Sequence, residues 1–210
     1  MPIDYTKTEK ELYQPKTTPS IIDVPTMTFI TVDGSGDPNT SPEYAAAVSL
    51  LYGLSFTIKM AHKDQENYVV PPLEGFWNVY GDFKGGGAAI PDKSQLVWTM
   101  IIRQPDFVTE AIFEDARAKL AKKRPELDTS KARLQTITEG LCVQVMHIGS
   151  YDDEPATIAA MDLFAIESGY ALDMARGRRH HEIYLGDPRK VAPEKLRTVL
   201  RHPIKPAETS

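Results

Sequence analysis

Alternation and helical spacing divide the chain into a series of short, well-marked elements. Met27 to Val32 (MTFITV) is a β-rich run that stops at the turn-forming stretch DGSGDPN. Ser41-Pro42-Glu43 then gives an N-cap followed by proline at the first helical position, opening a predicted helix through His62. Its apolar positions Ala47, Val48, Leu51, Leu54 and Ile58 recur at helical spacing. Two strand-like runs follow, Tyr68 to Tyr80 and Leu96 to Ile102, joined by GDFKGGGAAIPDKS, which reads as a flexible hairpin connection. Asp106 to Arg124 is an amphipathic helix, capped by Asp106 or Thr109 and ended by Pro125. A polar linker leads to a strand over Gly140 to Ile148 and the turn GSYDDEP. A third helix, ATIAAMDLFAIESGY, is closed by Gly169, and Arg179–Leu185 and Leu196–His202 are the last two strands. The first 25 residues carry four prolines and read as an arm lying on the domain, with IIDV a short edge strand.

The order of elements repeats. Each half reads strand, turn, helix, strand, strand, and the landmarks keep their register: Gly34 and Gly149 are 115 residues apart, Pro42 and Pro155 are 113 apart. The expected fold is therefore α+β, a duplicated β-α-β-β repeat whose antiparallel sheets carry helices around a central ligand pocket. Residues 1–25 form the arm and 26–210 a single domain, with repeat one at about 26–105, the connecting helix at about 106–125 and repeat two at about 139–205.

Composition narrows the class of function. An apolar share of 41% can fill an ordinary core, and a net charge of -5 does not advertise nucleic-acid binding. The lone Cys142 excludes an internal disulfide and a multi-cysteine zinc site. The N-terminus MPIDYTKTEKELY is too polar for a signal peptide, and the longest apolar runs fall short of the roughly 20 residues of a membrane helix. The expectation is a cytoplasmic protein with neither membrane nor nucleic-acid partner. Oligomeric state stays open. The stretch from Arg176 to Lys205 holds nine Lys/Arg against three Asp/Glu, which fits a solvated basic surface.

Strand alternation picks out the candidate chemistry. In RHHEIYLGDP, Glu182 and Tyr184 share one face with His180, while His181, Ile183 and Leu185 take the other. A carboxylate and a phenol two residues apart can project into one cavity, although an exposed strand with a polar face gives the same pattern. In PLEGFWNVY, Glu74, Phe76, Asn78 and Tyr80 share a side with Trp77 opposite; a bulge at Gly75 would re-aim Trp77 toward Glu74. Trp98 on its strand, and Tyr52 and Phe56 four apart on the first long helix, serve either a core or an aromatic wall. The five histidines form no metal site: His180 and His181 point to opposite faces of a strand, and the others are scattered. Cys142 sits in an apolar strand and reads as inert core. Gly85–Ala88 is glycine-rich but lacks the lysine and helix of a phosphate loop. No cofactor is implied.

Several stretches resemble the GyrI-like proteins, above all the stand-alone branch of that small-molecule-binding family. They include KELYQPK, VDGSGDPN, LYGLSFTIK, PLEGFW, WTMIIRQPDFVT, EGLCVQVMHIGSYDDEPATIA and RRHHEIYLGDPRKVAPEKLRTVLRHP, in order over most of the chain. The family is related to the effector-binding domains of multidrug-sensing regulators, but no helix-turn-helix module precedes the matching stretches here. The resemblance implies a duplicated β-α-β-β fold and an aromatic-walled pocket with a glutamate at its floor, made to bind hydrophobic, often cationic, aromatic compounds. Some stand-alone members are hydrolases that open the cyclopropane ring of DNA-alkylating cyclopropanoid toxins, a detoxification activity. A third use is as an interaction module, such as a gyrase inhibitor. By motif, the resemblance puts Glu182 and Tyr184 in the catalytic role, with Glu74, Trp77, Trp98, Tyr52 and Phe56 binding ligand.

Overall fold

The computed structural model describes residues 2–79, 92–175 and 177–208. The order of elements is α1 (Tyr5–Thr8), α2 (Lys10–Tyr13), β1 (Ser20–Ser35), α3 (Pro42–His62), β2 (Leu73–Val79), β3 (Leu96–Gln104), α4 (Glu110–Lys123), β4 (Ala132–Ile148), α5 (Glu154–Glu167), β5 (Tyr170–Leu172), β6 (His180–Tyr184) and β7 (Arg197–Pro206). The strand–helix–strand–strand order occurs twice, as β1-α3-β2-β3 and as β4-α5-β6-β7, the second with the short β5 inserted. Every strand pair is antiparallel, in the order β4-β1-β3-β2-β6-β7-β5. A further pairing of β4 with β7 closes the sheet into a barrel.

Two strands run longer than their sequence suggests. β1 extends from Ser20 through Pro25, and the IIDV stretch is its first part rather than a separate edge strand. Pro25 has no N–H to give, but β3 joins β1 only at Thr28, so at Pro25 one flank of β1 has no partner to satisfy. β4 begins at Ala132, inside the stretch read as a polar linker. Its first half is half-exposed and mostly polar, and it is held by pairing to Val24–Val32 of β1. Thr109, not Asp106, caps α4: its hydroxyl accepts from the Ile112 N–H at 3.4 Å. The hairpin connection expected at residues 81–94 lies, up to residue 91, outside the described residues.

Alternation gives the barrel two faces. Inward lie Phe29, Phe76, Ile101, Cys142, Ile183 and Val199, packed with Leu12 and Tyr13 of the N-terminal segment. On the outer face Ile30, Val32, Trp98, Met100 and Ile102 receive α3 and α4, and Val143, Val145, Leu200 and Ile204 receive α5. α3, at 21 residues, is long and apolar enough by composition to cross a membrane, unlike the short apolar runs expected from the sequence. Here its stripe of Ala47, Leu50, Leu51, Leu54 and Ile58 is buried against the barrel.

The N-terminal segment is clamped to the barrel by polar side chains. Arg103 makes a two-pronged pair with Glu9 at 2.5 and 3.0 Å. Arg201 donates to the Leu12 carbonyl at 3.0 Å, and Gln144 donates to the Glu11 carbonyl at 2.8 Å.

Candidate functional site

A cleft of about 2320 Å³ runs along the outer face between α3 and α5. That exceeds the roughly 300–1,000 Å³ of a drug-sized pocket, so the groove extends well past any single ligand site. β2 and β6 cross its middle. Glu182, Tyr184 and His180 point into it from β6, as strand alternation requires. Trp77 comes from β2, Tyr44 and Tyr52 from α3, Tyr151 from the short turn before α5, and Glu154 from the first position of α5.

Glu182 is held from both sides. The Tyr184 hydroxyl donates to its Oε2 at 2.6 Å, and that hydroxyl accepts from Trp77 Nε1 at 2.8 Å. On the other side, His180 Nε2 lies 2.9 Å from Glu182 Oε1, His180 Nδ1 lies 2.8 Å from His202 Nε2, and His202 Nδ1 lies 2.6 Å from Asp162 Oδ1. Three hydrogen bonds between two carboxylates need three protons, and two neutral imidazoles supply only two. All three contacts are hydrogen bonds at once only when the chain holds one proton more than two neutral imidazoles and two carboxylates supply. Burial pushes the Glu182 carboxyl up, but the His180 hydrogen bond and charge, with the Tyr184 hydroxyl, outweigh it and hold the group below the usual carboxylate range. Burial, then the Glu182 charge, raises the Tyr184 phenol well above its ordinary value. His202 is lowered, chiefly by burial.

Glu154 is the opposite case. It opens α5, is 5% exposed, and its Oε1 is buried without a hydrogen-bond partner. Burial and then the Glu182 charge push it well above the carboxylate range, against a Thr198 hydroxyl that favours the ion. A helix N-terminus stabilises a carboxylate by only about 0.3–1 kcal/mol, less than one unit at about 1.4 kcal/mol per unit, so the helix end does not reverse the shift.

The remaining predicted residues fall in three places. Tyr52 and Phe56 stack at 6.3 Å between centroids on the α3 wall of the cleft, with Phe56 half-exposed. Trp98 is fully buried behind that wall, edge-on to Tyr44 at 5.3 Å. Its ring occupies the space above Gly34, where an added Cβ would fall 2.1 Å from it.

Glu74 lies on the other side of the sheet. The β2–β3 register runs without a slip from Leu73 to Val79, so there is no bulge at Gly75 and Trp77 keeps the face opposite Glu74. Gly75 serves differently: it leaves room for the Trp77 indole to lie across the strand toward Tyr184. Inside the barrel Glu74 Oε2 meets His181 Nε2 at 3.0 Å, and His181 Nδ1 meets Glu139 Oε1 at 3.0 Å. Arg201 donates to Glu139 Oε1 at 3.0 Å and to Gln144 at 3.0 Å. Glu74 and Glu182 therefore serve separate networks.

Sequence reasoning missed Glu154, His202 and Asp162. His202 sits three pairs along β7 from Val199, which faces inward, and only the β6–β7 register brings it beside His180. Glu154 carries a weak signal, a third acidic residue in DDEP where two suffice to start a helix. Among the described residues no group of three or more His, Cys, Asp or Glu is placed to hold a metal ion.

The chain matches the model of the GyrI-like small molecule binding domain over residues 17–205. A crystal structure of an uncharacterized conserved protein from Listeria innocua is 45% identical, with a TM-score of 0.90, over 97% of this chain and 100% of that one. A protein from Listeria innocua described as a hydrolase is 44% identical, with a TM-score of 0.85, over the same shares. The EcmrR C-terminal domain shares the fold at 14% identity and a TM-score of 0.53, covering 90% of this chain and 98% of its own. No curated protein matches the chain.

Proposed function

We propose, from the premise that the chain belongs to the GyrI-like small molecule binding domain family, that its α3–α5 cleft binds a flat aromatic small molecule with Glu182 as the charge partner. The observation that carries this is a partly desolvated, ionised carboxylate walled by Trp77, Tyr44, Tyr151 and Tyr184. Aromatic walls hold a planar ligand by stacking, and a carboxylate with 14% of its side chain exposed attracts a cation strongly because little water screens it. Glu182→Gln keeps the shape and removes the charge. Proflavine, a flat aromatic cation, should then bind about 30-fold more weakly or worse, the loss expected for a truncated desolvated charge pair. Acridone, neutral and of similar outline, should change far less. Equal weakening of the two by calorimetry sinks the assignment of Glu182 as charge partner.

Two observations favour a second reading, hydrolysis. Glu182 stands at the end of the chain Asp162–His202–His180, which can take up and return a proton, and a relative 44% identical is described as a hydrolase. On a cyclopropane fused to a dienone, Glu182 would remove a proton from water as its oxygen attacks the ring carbon. The breaking C–C bond would send its electrons to the dienone oxygen, forming a phenolate. Tyr184 directs its proton to Glu182, so to serve that phenolate it would have to turn its hydroxyl to the ligand. Incubation with such a compound should give the water-added product, and the Glu182→Gln protein should give none. Recovery of the compound unchanged from the wild-type protein rules hydrolysis out.

A further inference from the structure

Among the described residues three that line the cleft keep a buried polar atom without a hydrogen-bond partner, Asn78, Arg178 and Glu154, and Glu154 is the carboxyl among them. Its Oε1 is buried and has no hydrogen-bond partner, and the residue as a whole is 5% exposed. A buried polar atom left unpaired is costly, and in a groove that takes ligands its natural partner is the ligand. The geometry points to Glu154 as a protonated carboxylic acid that donates a hydrogen bond to an acceptor oxygen of the bound molecule. The cleft would then recognise aromatic ligands that carry a carbonyl or similar acceptor, in addition to any positive charge answered by Glu182. This rests on the cleft being a small-molecule site.

Three features support the neutral form. Glu154 and Glu182 line the same cleft, where the Glu182 charge acts on Glu154, and two interacting carboxylates in low dielectric do not both ionise readily. Of the two, Glu182 holds two hydrogen-bond donors, Tyr184 and His180, which favour its charge. Against that pair, Glu154 has the Thr198 hydroxyl as a donor, and Thr198 stands across the β6–β7 register from Tyr184. Environments that drive two carboxyls apart in this way divide them into an acid and a base. In the hydrolytic reading the same proton would face the oxygen on which charge develops.

The first test needs no ligand. Infrared difference spectra of the wild-type protein minus Glu154→Gln at neutral pH should show the carbonyl band of a protonated carboxylic acid. If only carboxylate bands change, the proposal is overturned. The second test compares acridone, which has a carbonyl acceptor, with proflavine, which has none. Glu154→Leu should weaken acridone about tenfold, the worth of one buried hydrogen bond, and proflavine much less. Glu154→Gln, which retains an N–H donor, should recover most of that loss. An unchanged acridone-to-proflavine ratio in Glu154→Leu overturns the ligand role even where the acid band is present. If the wild-type protein binds neither probe, the cleft reading and the ligand role fall together, and the infrared band still decides whether the acid is there.

Discussion

At Gly75 an added methyl would sit 2.7 Å from the Trp77 indole nitrogen and 3.0 Å from the Met100 sulfur, and neither neighbour has free space to retreat into. Both side chains belong to the outer-face core, and the indole is fixed at its far end by Tyr184. Gly75→Ala should therefore push Trp77 off the Tyr184 hydroxyl and destabilise the fold by about 1–3 kcal/mol, the usual cost of overpacking. Urea denaturation measures the stability, and near-ultraviolet circular dichroism reports the indole's setting. Wild-type values in both would mean that Trp77 is not held as described. At this scale the sequence was informative about direction and silent about partners. Alternation alone puts His180, Glu182 and Tyr184 on one face, because a strand has a period of two whatever surrounds it. It says nothing of His202 or Asp162, which reach the same site from β7 and α5.

Between elements, the buried ionic group of β2, β4, β6 and β7 ties the sheet together from within. Arg201 on β7 answers Glu139 on β4 and the Leu12 carbonyl of α2, and His181 on β6 answers Glu139 and Glu74. Arg201→Met should cost about 3–5 kcal/mol, because it takes from buried Glu139 one of its two cationic partners and leaves only His181. Adding Glu139→Gln should restore part of that loss, since the second change removes the charge left short of a partner. A double variant no better than the single one, in the same denaturation assay, would contradict this coupling. The elements were unevenly legible. α3 announced itself through Ser41-Pro42 and its apolar stripe, and β6 through its alternation. The first half of β4 did not: ARLQTITEG has few apolar positions, because β1 holds it through backbone bonds while much of its surface meets solvent. The choice at Gly75 between regular alternation and a bulge stays open at that level, since a glycine that makes room for a neighbour and one that breaks a register look alike in a sequence.

Over the whole molecule, stability should follow the two groups at the centre of the barrel. Burial lowers His181, but the Glu139 and Glu74 carboxylates on its two nitrogens raise it from 6.5 to about 9. Glu139 is raised by burial and lowered further by His181 and Arg201, ending near 2 against an ordinary 4.5. A raised basic group stabilises the fold fully below its unfolded value, and that contribution is lost as pH climbs through the folded value. For His181 the loss falls between about 6.5 and 9. The lowered acid works in reverse: its contribution is complete above 4.5 and disappears as pH falls toward about 2. Unfolding free energy should thus be highest near pH 5–6 and drop by a few kcal/mol by about pH 9.5. His181→Gln should be less stable at pH 6 and lose the share of the alkaline decline that His181 supplies, while the share from Glu154, whose raised carboxyl costs stability as pH climbs from about 4.5 toward about 10, should remain. A flat wild-type profile from pH 6.5 to 9.5 would show that His181 is not held as a cation.

The pairing of β4 with β1 and of β2 with β6 also governs how the protein comes into being. Although the two halves repeat one design, each lends the other the strands that complete its sheet: Ser20 pairs with Gln144, and Glu74 with Ile183. Neither half can finish alone. On the ribosome, where a chain grows at about 5–20 residues per second, β1 waits for β4 and β2 waits for β6 before either sheet edge is covered. Long-range pairings of this kind slow folding, and the nascent first half exposes unpaired strand edges in the meantime. A repeat that would ordinarily shorten the route to the folded state here delays it until almost the last strand has been made.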